Sequence, residues 1–281
     1  METKQQLLTY LKEIEAWEKD QKGLYFWEKL GRIPFKILDK LTPKFIQQKI
    51  GEVVNELGSY IQTGGKYLVS EKAIIKRINK FTSYQHVESI EDIRKLPIKD
   101  MINISEQLAK NRAKVATVQG ASTGFGGIFT LVVDIPVILG ISLKTLQEIA
   151  IIHGYDPNDK KERVFIVKCL QFANSDIVGK EAILKDLSKM QLNNHSSEDM
   201  IQQLKGWQEV FYTFRDQFGW KKLFQAVPIA GMIFGAFANK SMIENIAETG
   251  NMLYRKRRIY EKLQSIEMQN EIPPHEINQE P

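Results

Sequence analysis

The chain has a single cysteine, Cys169, among its 281 residues. One thiol excludes an intramolecular disulfide framework, and no Cys or His residues are spaced as the ligands of a zinc site would be. We therefore expect a reducing compartment, no metal and no cofactor. The opening residues, METKQQLLTYLKEIEAWEKD, also lack the apolar core and cleavage site of a secretory signal. These absences predict a protein that stays in the cytoplasm or lies peripherally on the cytoplasmic face of a membrane.

Catalytic motifs are equally scarce. Gly64-Gly65-Lys66 lacks the upstream glycine and the hydroxyl residue of a phosphate-binding loop, and no G-x-S-x-G turn surrounds Ser122, so Ser122 and His153 are not expected to act as nucleophile and base. The stretch KVATVQGASTGFGG is similar to a dinucleotide-binding turn, but the residues after it are too apolar for a βαβ unit, and no Tyr-x-x-x-Lys pair occurs. We find no catalytic residue, and a non-enzymatic role is favoured.

No series of alternating strands is evident, whereas apolar residues recur at helical spacing along most of the chain. This pattern predicts an all-α fold, a single helical domain of about nine or ten helices. Residues 1–39 would form an amphipathic helix and a connector, and residues 40–262 the helical domain. Residues 263–281 contain three prolines and four glutamates with no Lys or Arg beyond residue 264, which predicts a disordered tail.

Local signals predict several helix boundaries. We expect Gly64 and Gly65 to interrupt a helix, Gly154 to end one, Asp156-Pro157 to start the next, and a last helix to run from Ser241 to about Gln264. Cys169 falls on an apolar helix face, where we expect a buried thiol.

Two segments are both apolar and rich in glycine. Residues 115–143 carry one charge, Asp134, and residues 223–239 carry none. Small residues recur every fourth position in both segments, which lets two helices approach closely. We predict that the segments pack together, either as a soluble core or as a shallow hairpin in one leaflet. The candidate ligand or helix-packing residues are Gly120, Thr123, Gly124, Gly127, Asp134, Pro136, Gly231, Gly235 and Asn239.

Asp134 has two possible roles. With Pro136 two residues later, it has the pattern of a helix start, in which its carboxylate would cap free backbone amides. Alternatively, it is a buried carboxylate that binds a cation or a substrate group. A carboxylate at the centre of a bilayer costs about 2.5 to 3.5 kcal/mol, so a simple membrane span through Asp134 is disfavoured.

The formal net charge is +5, and basic residues flank the second glycine-rich segment on both sides. Such flanks predict contact with anionic lipid head groups, the alternative being an ordinary solvated helix face. Nucleic acid is a less favoured partner because no nucleic-acid-binding motif accompanies the charges. The candidate membrane-contact residues are Lys221, Lys222, Lys240, Arg255, Lys256, Arg257 and Arg258.

Over roughly residues 40–262 the chain resembles the EcsC family, named after a bacterial gene product associated with an ABC transporter. The resemblance is carried by Gly120, Thr123-Gly124, Gly126-Gly127, Asp134 to Pro136, Gln147, Gly154-Tyr155, Val227-Pro228, Gly231, Gly235-Ala236 and Asn239. It implies a membrane-proximal helical protein with a lipid or transporter partner, and it assigns no activity and no catalytic residue. The alternative is an enzyme or small-ligand binder with an apolar pocket around Thr123 and Asp134; the oligomeric state is open.

Overall fold

The computed structural model of the chain describes residues 2–21, 55–82, 86–123, 131–175, 177–192 and 228–271. Within these ranges the chain forms one helical domain without β-strands, which confirms the predicted all-α fold. The helices are α1 (Lys4–Asp20), α2 (55–63), α3 (Glu71–Phe81), α4 (Ile90–Lys95), α5 (Ile98–Thr123), α6 (Leu131–Ile152), α7 (Lys160–Asn174), α8 (Ile177–Leu192) and α9 (Pro228–Glu271); Gly65–Tyr67 form a short 3₁₀ turn.

Three long helices make the centre of the fold. α5 and α6 are antiparallel, and Arg112 of α5 donates from Nε to Oε2 of Glu148 in α6 at 2.8 Å. α6 and α9 run in the same direction, since Gly250 of α9 lies against Leu146 and Ile149, and further along Arg258 donates to the carbonyl of His153. Since α5 is antiparallel to α6 and α6 is parallel to α9, α5 and α9 are antiparallel. The contact between α5 and α9 is the most extensive helix contact of the described residues.

This arrangement brings the two glycine-rich segments together, as predicted. The last turns of α5, the first turns of α6 and the first turns of α9 all lie at one end of the three-helix core. We call this the glycine-rich end and define it by residues 110–123, 131–144 and 228–240. The opposite end contains the start of α5 and the end of α6.

Local sequence signals explain several helix boundaries. Thr3 and Gln6 form a capping box at the start of α1. Gly154 ends the long run of α6 with a φ of 80°, a left-handed conformation that suits glycine, and this confirms the predicted helix end. The predicted cap at Asp156-Pro157 is wrong, because α7 begins at Lys160 and its cap is Asp159, which accepts a hydrogen bond from the Lys161 amide.

The second glycine-rich segment and the basic cluster belong to the same helix. We expected a break near residue 240 and disorder from residue 263, but α9 is continuous over 44 residues from Pro228 to Glu271. Proline at the first helical position is compatible with this start. Leu263 is buried, and Lys4 pairs with Glu267 at 2.9 Å, so contacts with the rest of the chain hold the last turns.

Candidate functional site

The basic cluster of α9 pairs within the chain rather than facing a partner. Its ion pairs are Arg255 with Glu13, Lys256 Nζ with Glu18 Oε1 at 2.7 Å, Arg257 Nη1 with Glu162 Oε2 at 2.9 Å, and Arg258 Nη1 with Glu261 Oε2 at 2.5 Å. The side chains of Arg255 and Arg258 are only 4% and 5% exposed. These contacts contradict both predictions for the cluster, a solvated face and a surface that meets head groups.

The position of α9 explains this result. Four consecutive residues of an α-helix point in directions about 100° apart and so face nearly every side. At this level α9 is surrounded by α1, α6 and α7, whose side chains and carbonyls supply the partners. A basic run on a surface helix would leave at least one side open, but α9 is a central helix.

Below the cluster lies a buried polar network centred on Glu162. Its carboxylate accepts a hydrogen bond from the Tyr254 hydroxyl at 2.6 Å and from Arg257 at 2.9 Å. Burial raises the pKa of Tyr254 and of the Cys169 thiol well above their ordinary values, so both stay protonated at neutral pH. Cys169 is buried, as predicted. The network has matched donors and acceptors, and we assign it a structural role.

His153 lies at the end of α6, and its imidazole is fully buried. Its Nδ1 is 3.0 Å from the Ile149 carbonyl, which can only accept, so Nδ1 carries the hydrogen. Burial is the main cause that lowers the pKa of His153 to about 3. Ser122 lies near the other end of the α5–α6 pair, roughly 20 Å along the helix axis at 1.5 Å per residue. The two residues therefore cannot act as nucleophile and base.

The glycine-rich end carries exposed apolar side chains. Val115, Val118 and Val137 are 50%, 71% and 39% exposed, although each belongs to a helix of the three-helix core. Since Arg112 and Glu148 are paired, residues of α5 and α6 whose numbers sum to about 260 lie at the same level. Val137 therefore lies about 7 Å closer to the tip than Val118.

Lysines accompany these valines. Lys110 and Lys114 are exposed and one turn apart on α5, and Lys144 is half-buried on α6 at almost the same level as Lys114. None of the three makes an ion pair with another residue in the described ranges. Lys240 is level with Val137 and approaches Glu244 at 3.6 Å, with both side chains half exposed, and such surface pairs stabilise little.

Several predicted site residues can be placed only in part. Gly120 and Thr123 lie in the last turns of α5, Asp134 and Pro136 in the first turns of α6, and Gly231 and Gly235 near the start of α9. The structure describes the backbone at these six positions but not the side chains. Four other predicted residues lie outside the described ranges altogether: Gly124, Gly127, Lys221 and Lys222. Asn239 is buried. α6 begins at Leu131, three residues before Asp134, so the prediction that Asp134 is the helix cap is wrong.

Two other kinds of site are absent from the described ranges. We find there no helix with the length and apolar content to cross a membrane. Nor do three or more His, Cys, Asp or Glu residues of those ranges come together as metal ligands would.

A family model and one named relative point to the same family. A family model described as "EcsC protein family" matches residues 9–259. "Uncharacterized protein YdbA" of Bacillus subtilis (strain 168) is 56% identical over 270 residues, covering 96% of this chain and 99% of the relative. "Protein EcsC" of the same organism is 27% identical over 167 residues, covering 59% of this chain and 67% of the relative. No solved structure matches. The family match includes most of α1, which the sequence interpretation had placed outside the domain.

Proposed function

The chain belongs to the EcsC protein family, and we propose that it binds the cytoplasmic face of an anionic membrane peripherally, through its glycine-rich end. The observation that carries this proposal is the pairing of exposed valines with lysines at one end of the helical core. The proposal keeps the predicted partner and replaces the predicted contact residues, because Arg255–Arg258 are occupied within the chain.

The arrangement suits the two layers of a membrane surface. Val115, Val118 and Val137 would lie at the boundary between head groups and acyl chains, where an exposed apolar side chain is stabilised. Lys110, Lys114 and Lys144 lie level with the valines or further from the tip, and long basic side chains reach head groups from such positions. The sequence at the same end adds little opposing charge, since Asp134 is the one acid among residues 110–144 and residues 228–239 contain no Asp, Glu, Lys or Arg.

A rough magnitude shows that the contact would be reversible. Each lysine near an anionic surface contributes about 1 kcal/mol, so three contribute about 3 kcal/mol, and this part weakens as salt increases. Burial of a valine side chain contributes about 1.5 kcal/mol or more when complete, and this part is insensitive to salt. We therefore expect binding that salt reduces without abolishing it.

Co-sedimentation with phospholipid vesicles tests the proposal. We expect the wild type to bind vesicles that contain phosphatidylglycerol more tightly than vesicles of phosphatidylcholine alone. The triple substitution Lys110→Gln/Lys114→Gln/Lys144→Gln should remove most of that difference. The matched control is Lys95→Gln/Lys99→Gln/Lys161→Gln, which changes the net charge equally at the opposite end of the core.

The valines need a separate variant. Val115→Ser/Val118→Ser should reduce the binding that persists at high salt, and circular dichroism would check that the helices are retained. Equal losses in the two lysine variants would mean that only net charge matters, which contradicts a specific contact. If the wild type binds neither kind of vesicle, the proposal is wrong, and a retained ligand between the glycine-rich segments, around Thr123 and Asp134, becomes the next target.

A further inference from the structure

A second basic surface lies on α3, which packs against α5 and α6. Lys72, Lys76 and Lys80 are exposed, and their four-residue spacing places them on one face along about 12 Å of helix. Ile74 and Ile78 are buried on the opposite face. The three lysines therefore point away from the core along the length of the helix.

These lysines, like Lys12, Lys19 and Lys185, have no acidic partner among the described residues, in contrast to the basic residues of α9. The cations of α9 are paired with Glu13, Glu18 and Glu162, and Lys168 of α7 is paired with Asp186. α3 contains a single acid, Glu71, in its first turn, and it forms no ion pair with the lysines. The α3 face thus keeps its full positive charge.

Exposed apolar side chains lie just before α3 and at its last residue. Leu68, just before α3, is 38% exposed, and Phe81, its last residue, is 43% exposed. A cationic helix face with apolar groups at its two ends fits a phospholipid surface, where phosphates meet the lysines and the apolar groups reach the acyl boundary. A nucleic acid would satisfy the lysines but would leave Leu68 without a partner.

We propose that the α3 face formed by Lys72, Lys76 and Lys80, with Leu68 and Phe81, is a second contact surface for anionic phospholipid. This proposal rests on the proposed function only for the class of partner, a membrane. It adds an orientation of the protein on the membrane. If α3 and the glycine-rich end both contact lipid, the side of the three-helix core that carries α3 faces the membrane.

Charge variants give the first test. Lys72→Gln/Lys76→Gln/Lys80→Gln should weaken binding to phosphatidylglycerol vesicles at low salt, by about fivefold for each lysine that lies at the surface. The matched control Lys12→Gln/Lys19→Gln/Lys185→Gln changes exposed lysines of α1 and α8 by the same net charge. A loss confined to the α3 variant supports the proposal. Equal effects, or no effect, overturn it.

Site-specific labels separate the two surfaces. Because the only native cysteine is buried, a polarity-sensitive fluorophore can be attached to Phe81→Cys or, in a second variant, to Val118→Cys. A blue shift on adding phosphatidylglycerol vesicles is expected at both positions. A shift at position 118 alone overturns the α3 contact and leaves the proposed function standing. A shift at position 81 alone supports the α3 contact and overturns contact through the glycine-rich end. Tighter binding of the α3 face to single-stranded nucleic acid than to vesicles overturns lipid as the partner of α3.

Discussion

Acid should destabilise this fold through His153, and the size of the effect follows from the site. The imidazole is fully buried, its Nδ1 hydrogen is donated to Ile149, and its Nε2 has no hydrogen-bond partner. Burial, with the nearby Arg258 and Arg255, lowers its pKa from 6.5 to about 3. The folded chain therefore keeps His153 neutral at pH values where the unfolded chain has already taken up a proton.

Linkage converts this difference into stability. The unfolded state gains the proton as the pH falls through 6.5 and the folded state gains it only near 3, so the free energy of unfolding decreases as the pH falls between these values. Each pH unit well inside that window costs about 1.4 kcal/mol. Between pH 7 and pH 5 the contribution of His153 amounts to a loss of about 2 kcal/mol.

Urea unfolding at pH 7 and pH 5 measures this loss. His153→Asn removes the titration while its amide can still donate to the Ile149 carbonyl, and its stability should depend less on pH than that of the wild type by about 2 kcal/mol over this interval. His86→Gln is the matched control, since the side chain of His86 is largely exposed. If the wild type and His153→Asn lose the same stability between the two pH values, His153 is not buried in neutral form and the reasoning fails.

Three further substitutions test the packing. Gly250→Ala should lower the free energy of unfolding by about 1–3 kcal/mol, because its Cβ would lie 2.7 Å from Leu146 Cδ2. At Gly58 in α2 an added Cβ would have nothing within 4 Å, so Gly58→Ala should raise the free energy of unfolding by about 0.5–1 kcal/mol. If urea unfolding shows that both glycine variants change stability in the same direction, the packing around Gly250 is contradicted. Tyr254→Phe removes the donor to the buried Glu162 carboxylate and should cost about 1–3 kcal/mol in thermal unfolding, while an unchanged midpoint would show that the bond contributes nothing.

The fold class could be predicted from the sequence because helical periodicity is a local property. Leu7, Leu11 and Ile14 recur at helical spacing, and all three are buried in α1. Gly64 and Gly65 were expected to interrupt a helix, and both have positive φ values between α2 and α3. These signals depend on neighbouring residues alone, so tertiary packing did not alter them.

Boundaries and partners could not be predicted because they depend on contacts between distant residues. The sequence offered two acid-proline pairs as helix starts, yet α6 begins before Asp134 and α7 after Asp156. Nothing near Arg255 in the sequence indicates that Glu13 lies beside it, 242 residues away. One signal was available and missed: Lys110 and Lys114 are four residues apart immediately before the first glycine-rich segment, which places both on one helix face.

The distinction between paired and unpaired cations also decides how the net charge of +5 acts. The arginines of α9 are offset by carboxylates a few ångströms away, so the potential they produce at a distance is small. The field outside the described surface therefore originates mainly from lysines without such partners, among them those on α3 and at the glycine-rich end. Those lysines are exposed, hence salt screens them within about 10 Å at 0.1 M, whereas the buried pairs of α9 are screened much less. Moderate salt should consequently release the protein from an anionic surface at concentrations that leave its fold unchanged.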